Sequence, residues 1–323
     1  MSISPARTSA FDILLRIESE RAFSSVLLPL YEERLSSGDR GLCHELVLGT
    51  LRRQIKLDRI IEKFANGRKL DAEVRIALRL GLYQLLFLEK IPARAAIHES
   101  VELVKRARKS SASVMVNAVL RRATREQHEV VYQDDIDRIS VETSHPRWLI
   151  EKWADQYGLA KAEILANAND QPARIAFRVV TDAMTDDVAD ILALATPSAS
   201  VPGCYLIERS TPQLRKLAGE GHIYFQDVAS QMVAHAVEVP PNGHFLDVCA
   251  APGGKTGLVI SRTRPRLSVA GDLHQSRVVL LRENCLRQGA ELEVLRYNAV
   301  AGLPVRDAVF DSVLVDAPCS GTG

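Results

Sequence analysis

Apolar residues recur at helical spacing through roughly the first 125 positions. Ala10, Phe11, Leu14, Leu15 and Ile17 make one face, and Leu42, Leu46, Leu48 and Leu51 make another. Ile76, Leu80, Tyr83 and Phe87 fall at i, i+4, i+7 and i+11, and the pattern resumes after Pro92 over residues 97–106 and 114–121. Ser36-Ser37-Gly38, Asn66-Gly67 and Ser110-Ser111 interrupt it. No alternating stretch occurs there, so an all-α bundle is predicted. Residues 126–144 are polar and acid-rich (Asp134, Asp135, Asp137) and read as a connector. Thr143-Ser144-His145-Pro146 then opens a helix whose stripe is Trp148, Leu149 and Trp153, ended by Gly158. Aromatics at that spacing read as core rather than as a base-stacking surface. Beyond them the period shortens. Residues 173–180 and 205–208 read as strands around a helix at 185–195, a small α/β module. Residues 221–227 lead a strand into a helix at 228–237, where Gln226 and Asp227 could orient a ligand or, for Asp227, cap the helix.

The most informative change of pattern follows. Residues 243–248, with Phe245, Leu246 and Val248 behind Pro240-Pro241-Asn242, form a short apolar run typical of a buried parallel strand. Next come Cys249-Ala250-Ala251-Pro252-Gly253-Gly254-Lys255, and then residues able to form a helix. A strand, a glycine-bearing turn and a helix place a ligand at the carboxyl end of a doubly wound sheet. Gly253 and Gly254 tolerate positive φ and let backbone N–H groups come close to that ligand. A phosphate loop is disfavoured, because the glycine it needs five residues before Gly254 is replaced by Cys249. Two further apolar runs also end in acids, Asp272 about 20 residues after the turn and Asp316. Asp272 stands where a ribose-binding carboxylate falls in a nucleoside-binding β-α-β unit.

Composition narrows the class without naming it. With 323 residues, 25% charged and 46% hydrophobic, the chain has room for two or three domains with real cores. It has no apolar run long enough for a membrane span and no apolar leader, so a cytoplasmic protein is expected. The five cysteines (43, 204, 249, 285, 319) lack metal or disulfide spacing, and no metal is expected. The net charge of +1 conceals a division. Residues 1–125 hold 23 Lys and Arg against 14 Asp and Glu, and the remainder is acidic. Clusters at Arg52-Arg53, Arg68-Lys69, Lys105-Arg106 and Arg121-Arg122 could bind a polyanion, or simply be solvated.

The turn from Asp247 to Thr256, Asp272, and Asp316-Ala317-Pro318-Cys319-Ser320-Gly321-Thr322-Gly323 resemble S-adenosylmethionine (AdoMet)-dependent RNA cytosine-C5 methyltransferases. Within them the chain is similar to the Sun/RsmB type, 16S ribosomal RNA enzymes with a NusB-like N-terminal domain. Asp39-Arg40, residues 45–52 and residues 116–122 carry the NusB-like part. The resemblance implies an all-α NusB-like bundle at 1–127, a connector and small module at 128–219, and an incomplete Rossmann-like methyltransferase domain at 220–323. It implies 16S ribosomal RNA as partner and a monomer acting without membrane or metal. Cys249, Ala250, Ala251, Pro252, Gly253, Gly254 and Lys255 would surround the amino-acid end of AdoMet. Asp272 would take the ribose, Asn298 the adenine, and Asp316 would lie near the methionine portion and the target base. Asn298 departs from the aspartate usual in the family; its amide oxygen can still accept a hydrogen bond.

The resemblance also implies covalent catalysis: a thiolate adds at cytosine C6, C5 becomes electron-rich and takes the methyl, and loss of the C5 proton expels the thiol. In these RNA enzymes the Pro-Cys cysteine, here Cys319, assists release, while the attacking cysteine belongs to a later Thr-Cys-Ser motif. The sequence stops at Gly323 before such a motif, so the 323-residue chain is expected to lack that nucleophile and to be inactive. DNA cytosine methyltransferases attack with the Pro-Cys cysteine itself, which leaves Cys319 as a substitute nucleophile. The rival reading is an RNA-binding, antitermination-type factor carrying a non-catalytic AdoMet-binding remnant.

Overall fold

The computed structural model describes residues 3–65, 67–126, 130–171, 173–180 and 184–317. The chain divides into two compact units, Met1–Pro172 and Ala173–Gly323.

The first unit is helical. It comprises α1 (Pro5–Glu20), α2 (Ser24–Glu32), α3 (Ser37–Arg52), α4 (Gln54–Phe64), α5 (Ala72–Phe87), α6 (Ala93–Arg106) and α7 (Ser113–Ala123). The helical period delivers Phe11, Leu46, Leu57, Ile60, Leu78 and Leu80 to one buried cluster. Ser36 caps α3 by accepting from the Asp39 amide at 3.2 Å, and its hydroxyl donates back to the Asp39 carboxylate at 2.7 Å. Three more helices follow: α8 (Asp135–Thr143), α9 (Arg147–Tyr157) and α10 (Leu159–Asp170). Helix α8 lies inside the stretch expected to be a connector. Asp134 caps it, accepting from the Asp137 amide at 2.7 Å, and the acids of its first turn favour the helix N-terminus. Its Ile139 packs with Ile150 of α9 and Ala166 of α10. The stripe expected on α9 is rotated: Ile150 is buried and Trp153 packs beside it, while Trp148 is 53% exposed.

The second unit holds two sheets. The first is antiparallel, in the order β2-β3-β1-β4, from β1 (Ile175–Val179), β2 (Thr196–Pro197), β3 (Cys204–Ile207) and β4 (Ile223–Phe225). Helices α11 (Asp186–Leu194) and α12 (Pro212–Glu220) cover one face, on which Phe177 is buried with Val188, Ile191 and Leu214. Helix α13 (Val228–Ala236) leads into the second sheet. That sheet is parallel, in the order β7-β6-β5-β8, with β5 (His244–Asp247), β6 (Leu267–Asp272), β7 (Glu293–Arg296) and β8 (Ser312–Leu314). Helices α14 (Gly254–Thr263) and α15 (Gln275–Arg287) make the crossovers. The strands fall where the apolar runs predicted. From β5 the chain builds outward through β6 and β7, then returns to add β8 on the other side. Ligands of open α/β sheets bind at such a reversal, beyond the strands' carboxyl ends. No described helix is long and apolar enough to cross a membrane.

Candidate functional site

The carboxyl ends of β5 and β8 open into a cleft of about 260 Å³. The turn Cys249–Pro252, Gly254 and Lys255 form one wall with Asp247 and Asp316, and Tyr224 to Asp227 and Ser230 form the other. Backbone hydrogen bonds pin the turn to both neighbouring strands: Val248 N–H donates to the Leu314 carbonyl and Ala250 N–H to that of Gly271, each at 2.9 Å. Gly253 sits at φ +99°, the left-handed region that glycine enters without strain, as the cap that starts α14. A Cβ on Gly254 would stand 2.9 Å from the Tyr224 ring, so this wall accepts only a bare backbone. The first N–H groups of α14 have no intrahelical partner and carry the positive end of its dipole.

Asp247, at the end of β5, is 1% exposed. Its Oδ2 accepts from the Thr256 hydroxyl at 2.7 Å, whereas its Oδ1 is buried without a hydrogen-bond partner among the described residues. Burial pushes its pKa up to about 6; the Asp316 charge adds to the shift, while the Thr256 hydroxyl, the Cys249 amide and the Lys255 charge oppose it. Across the mouth, Lys255 Nζ lies 2.6 Å from Asp316 Oδ2. The cleft therefore has a cationic side at Lys255 and the α14 N-terminus and an anionic side at Asp247 and Asp316. An orphaned carboxylate oxygen and a cradle too tight for a Cβ suit the ammonium and carboxylate of an α-amino acid. Cys249 is half-buried, and burial together with the Asp272 and Asp247 charges pushes its thiol up, so it is not poised as a nucleophile.

Asp272 and Asn298 lie outside this cleft's lining. Asp272 ends β6 and is buried. One of its oxygens accepts from the Leu273 amide at 2.8 Å, and the other is 3.4 Å from Arg277 Nε. Arg277 also donates to the Ala251 carbonyl at 2.9 Å, tying Asp272 to the turn. Asn298 follows β7 and is exposed; its side-chain oxygen accepts from the Val300 amide at 3.1 Å. Cys319 lies outside the described residues. Asp227 caps α13 through the Ala229 amide at 2.8 Å. Tyr224 was not anticipated, because its contribution comes from the edge strand of the other sheet and no local pattern marks it. Asp247 was anticipated only as the start of the turn, although an acid at a strand end was the signal that singled out Asp272.

In the helical unit a second surface fits the charge count: a groove of about 550 Å³ between α6 and α7 is lined by Arg94, His98, Lys105, Arg121 and Arg125. Glu102 offsets one of these cations, pairing with Lys105 at 2.7 Å.

Three family descriptions match along the chain: the NusB family over residues 4–125, a ferredoxin-like domain of RsmF/B-like methyltransferases over 145–200, and 16S rRNA methyltransferase RsmB/F over 234–323. The chain is similar to a probable ribosomal RNA small subunit methyltransferase B of Bacillus subtilis (strain 168), 37% identical over all of this chain and 75% of the relative. The protein called ribosomal RNA small subunit methyltransferase B in Pseudomonas syringae pv. tomato is 35% identical over 98% of this chain and 72% of its own. Among solved structures, the crystal structure of PH0851 matches with a TM-score of 0.72 at 20% identity, over 99% of this chain and 75% of that one, a likeness of fold.

Proposed function

The chain belongs to the ribosomal RNA small subunit methyltransferase B family, and from that premise we propose that it uses AdoMet to methylate C5 of a cytosine in 16S ribosomal RNA. The observation that carries the cofactor reading is the bipolar cleft at the β5–β8 reversal. In this reading Asp247 Oδ1 accepts from the amino group. Lys255 and the free N–H groups of α14 hold the carboxylate, with Cys249, Ala250, Ala251, Pro252, Gly253 and Gly254 shaping the wall around it. Asp272 receives the ribose hydroxyls, for which a carboxylate with two acceptor oxygens is suited. Asn298 reads the adenine through its remaining acceptor capacity. AdoMet supplies an electrophilic methyl group; the protein's share is to orient that group and exclude water.

Cytosine C5 needs activation before it can take a methyl group, and covalent addition of a cysteine thiolate at C6 supplies it. In the proposed cycle Cys319 assists release of the product and Asp316 stands near the target base. The helical unit holds the RNA through cations such as Arg94, Arg121 and Arg125, with the salt dependence expected when phosphate contacts release counterions.

The test is to incubate the protein with AdoMet and 16S ribosomal RNA, digest the RNA to nucleosides and analyse them by mass spectrometry. A protein that carries both cysteines is expected to yield 5-methylcytidine, and a methyl group on any other nucleoside overturns the proposal. Cys319→Ala separates the two possible thiol roles: a protein–RNA adduct that accumulates assigns release, whereas loss of both adduct and transfer makes Cys319 the nucleophile.

A further inference from the structure

Strand β1 carries Phe177 into the apolar cluster under α11 and α12, and Arg178 into the opposite face. Arg178 is 4% exposed, a rare situation for a guanidinium. Its Nε donates to Gln226 Oε1 at 3.0 Å, and one terminal nitrogen donates to Gln288 Oε1 and, at 3.4 Å, to the carbonyl of Gly254. The guanidinium lies 5.3 Å from the centre of the Tyr224 ring. All three acceptors are neutral, and no carboxylate pairs with Arg178 among the described residues. Burial pushes its pKa down to about 10, which leaves it charged at neutral pH. Gln288 extends the network, donating from Nε2 to the carbonyls of Asn284 at 3.0 Å and Gly253 at 3.4 Å.

The position of this charge is informative. Gly254, Tyr224 and Gln226, three of its contacts, all line the cleft, so Arg178 stands one layer behind the wall. A buried cation with neutral partners alone is costly, and an apolar side chain would fill the same space without that cost. The carboxylates of the cleft do not neutralise it: Asp247 is engaged by Thr256, Asp316 by Lys255, and Asp227 caps α13. The unneutralised charge and the α14 dipole reinforce one another at the Gly253–Gly254 turn.

We propose that Arg178 is a positioning residue for the carboxylate of AdoMet. It fixes the glycine turn from behind and raises the electrostatic attraction of the α14 N-terminus for an anion, so the small antiparallel sheet sets how tightly the amino-acid end is held. This rests on the AdoMet reading of the cleft.

Two probes separate the effects. S-adenosylhomocysteine keeps the amino-acid end; 5′-methylthioadenosine keeps the nucleoside and the thioether and lacks it. Each is titrated calorimetrically into the 323-residue protein, at a temperature where circular dichroism shows every variant folded. Arg178→Met is expected to weaken S-adenosylhomocysteine about tenfold or more, the scale of one charge acting through a layer of side chains at an effective dielectric near ~20. 5′-Methylthioadenosine affinity should stay within about twofold, as the neutral end is untouched. Arg178→Lys keeps the charge and loses the planar fork, so it should fall between, and it carries the comparison if the methionine variant does not fold. Equal losses for both probes would make Arg178 a structural residue, and an unchanged S-adenosylhomocysteine affinity would remove any role; either overturns the proposal. If the unaltered protein binds neither probe, the AdoMet reading fails first and this inference falls with it.

Discussion

Buried arginines mark different uses of charge in the two units. Arg79, in the helical unit, reaches Asp58 at 2.7 Å from Nε and 2.7 Å from Nη2, and Glu18 at 2.5 Å. Arg7 likewise pairs with Glu99 at 3.1 Å and Gln84 at 2.6 Å. These cations are matched by carboxylates of neighbouring helices, and the match locks α1, α4, α5 and α6 in register. Arg178 and Asp247, in the second unit, are each buried without an oppositely charged partner in hydrogen-bond contact among the described residues. The helical unit matches these buried arginines with carboxylates, whereas at the β5–β8 reversal Arg178 and Asp247 keep charge that a ligand in the cleft can complement.

Breaking the matched set should give the largest effect. Arg79→Met leaves two carboxylates without their cation, and removal of one partner from a buried pair costs about 3–5 kcal/mol. The lower figure applies, since Glu18 and Asp58 keep some access to water. Hydrogen exchange of the α5 amides should accelerate accordingly; a loss below about 1 kcal/mol would show the network to be incidental.

The unmatched set should respond with the opposite sign. The pKa of Asp247 in the folded protein, about 6, lies above the ordinary aspartate value of 3.8. The native state therefore holds the proton more tightly, and its stability falls as pH rises between those values. Two pKa units correspond to about 3 kcal/mol. Asp247→Asn should abolish that slope and stabilise the second unit at pH 7 by about 2 kcal/mol, allowing for the new amide donors. Denaturation followed through hydrogen exchange of β5 and β6 from pH 4.5 to 8 gives the comparison, and an identical slope in both proteins would refute it.

A smaller effect is expected at the wall. Gly254→Ala drives a methyl against the Tyr224 ring, and overpacking of that kind costs about 1–3 kcal/mol. It should weaken AdoMet while leaving exchange in α5 unmoved; an accompanying loss of protection in α5 would show that the effect is not local to the wall. The smallest change belongs to Asn298→Asp, on an exposed loop whose local bond to the Val300 amide survives. AdoMet affinity should shift by less than about threefold, as suits an exposed polar exchange, and a larger change would give the adenine end more weight than the amino-acid end.

How much of this was legible in the sequence follows from the range of each signal. The turn at 249–255, Asp247 and Asp272 at the ends of β5 and β6, and Asp316 just beyond β8 are local features, and strand-turn-helix patterning places them without knowledge of the packing. The β5–β8 reversal itself is a matter of spatial strand order, which chain order does not give. Arg178 and Tyr224 left no local mark, because one sheet presents them to the turn of another. Asn298 shows the converse: the residue falls at the expected strand end, yet its side chain is already spent on a backbone turn. Helix α8 was hidden because the charges that make its segment look like a linker are the ones that cap it, and because its buried face, centred on Ile139, is short.

The central claim is that the buried, unmatched groups at the β5–β8 reversal recognise the amino-acid end of AdoMet. Calorimetric titration of AdoMet into the unaltered protein and into Asp247→Asn, at pH 7.5, tests it most directly. Removing a charge-assisted hydrogen bond should cost about 1.5–3 kcal/mol, roughly a tenfold to hundredfold loss of affinity. That loss should appear although the variant is the more stable protein. Equal affinity in the two proteins would contradict the account.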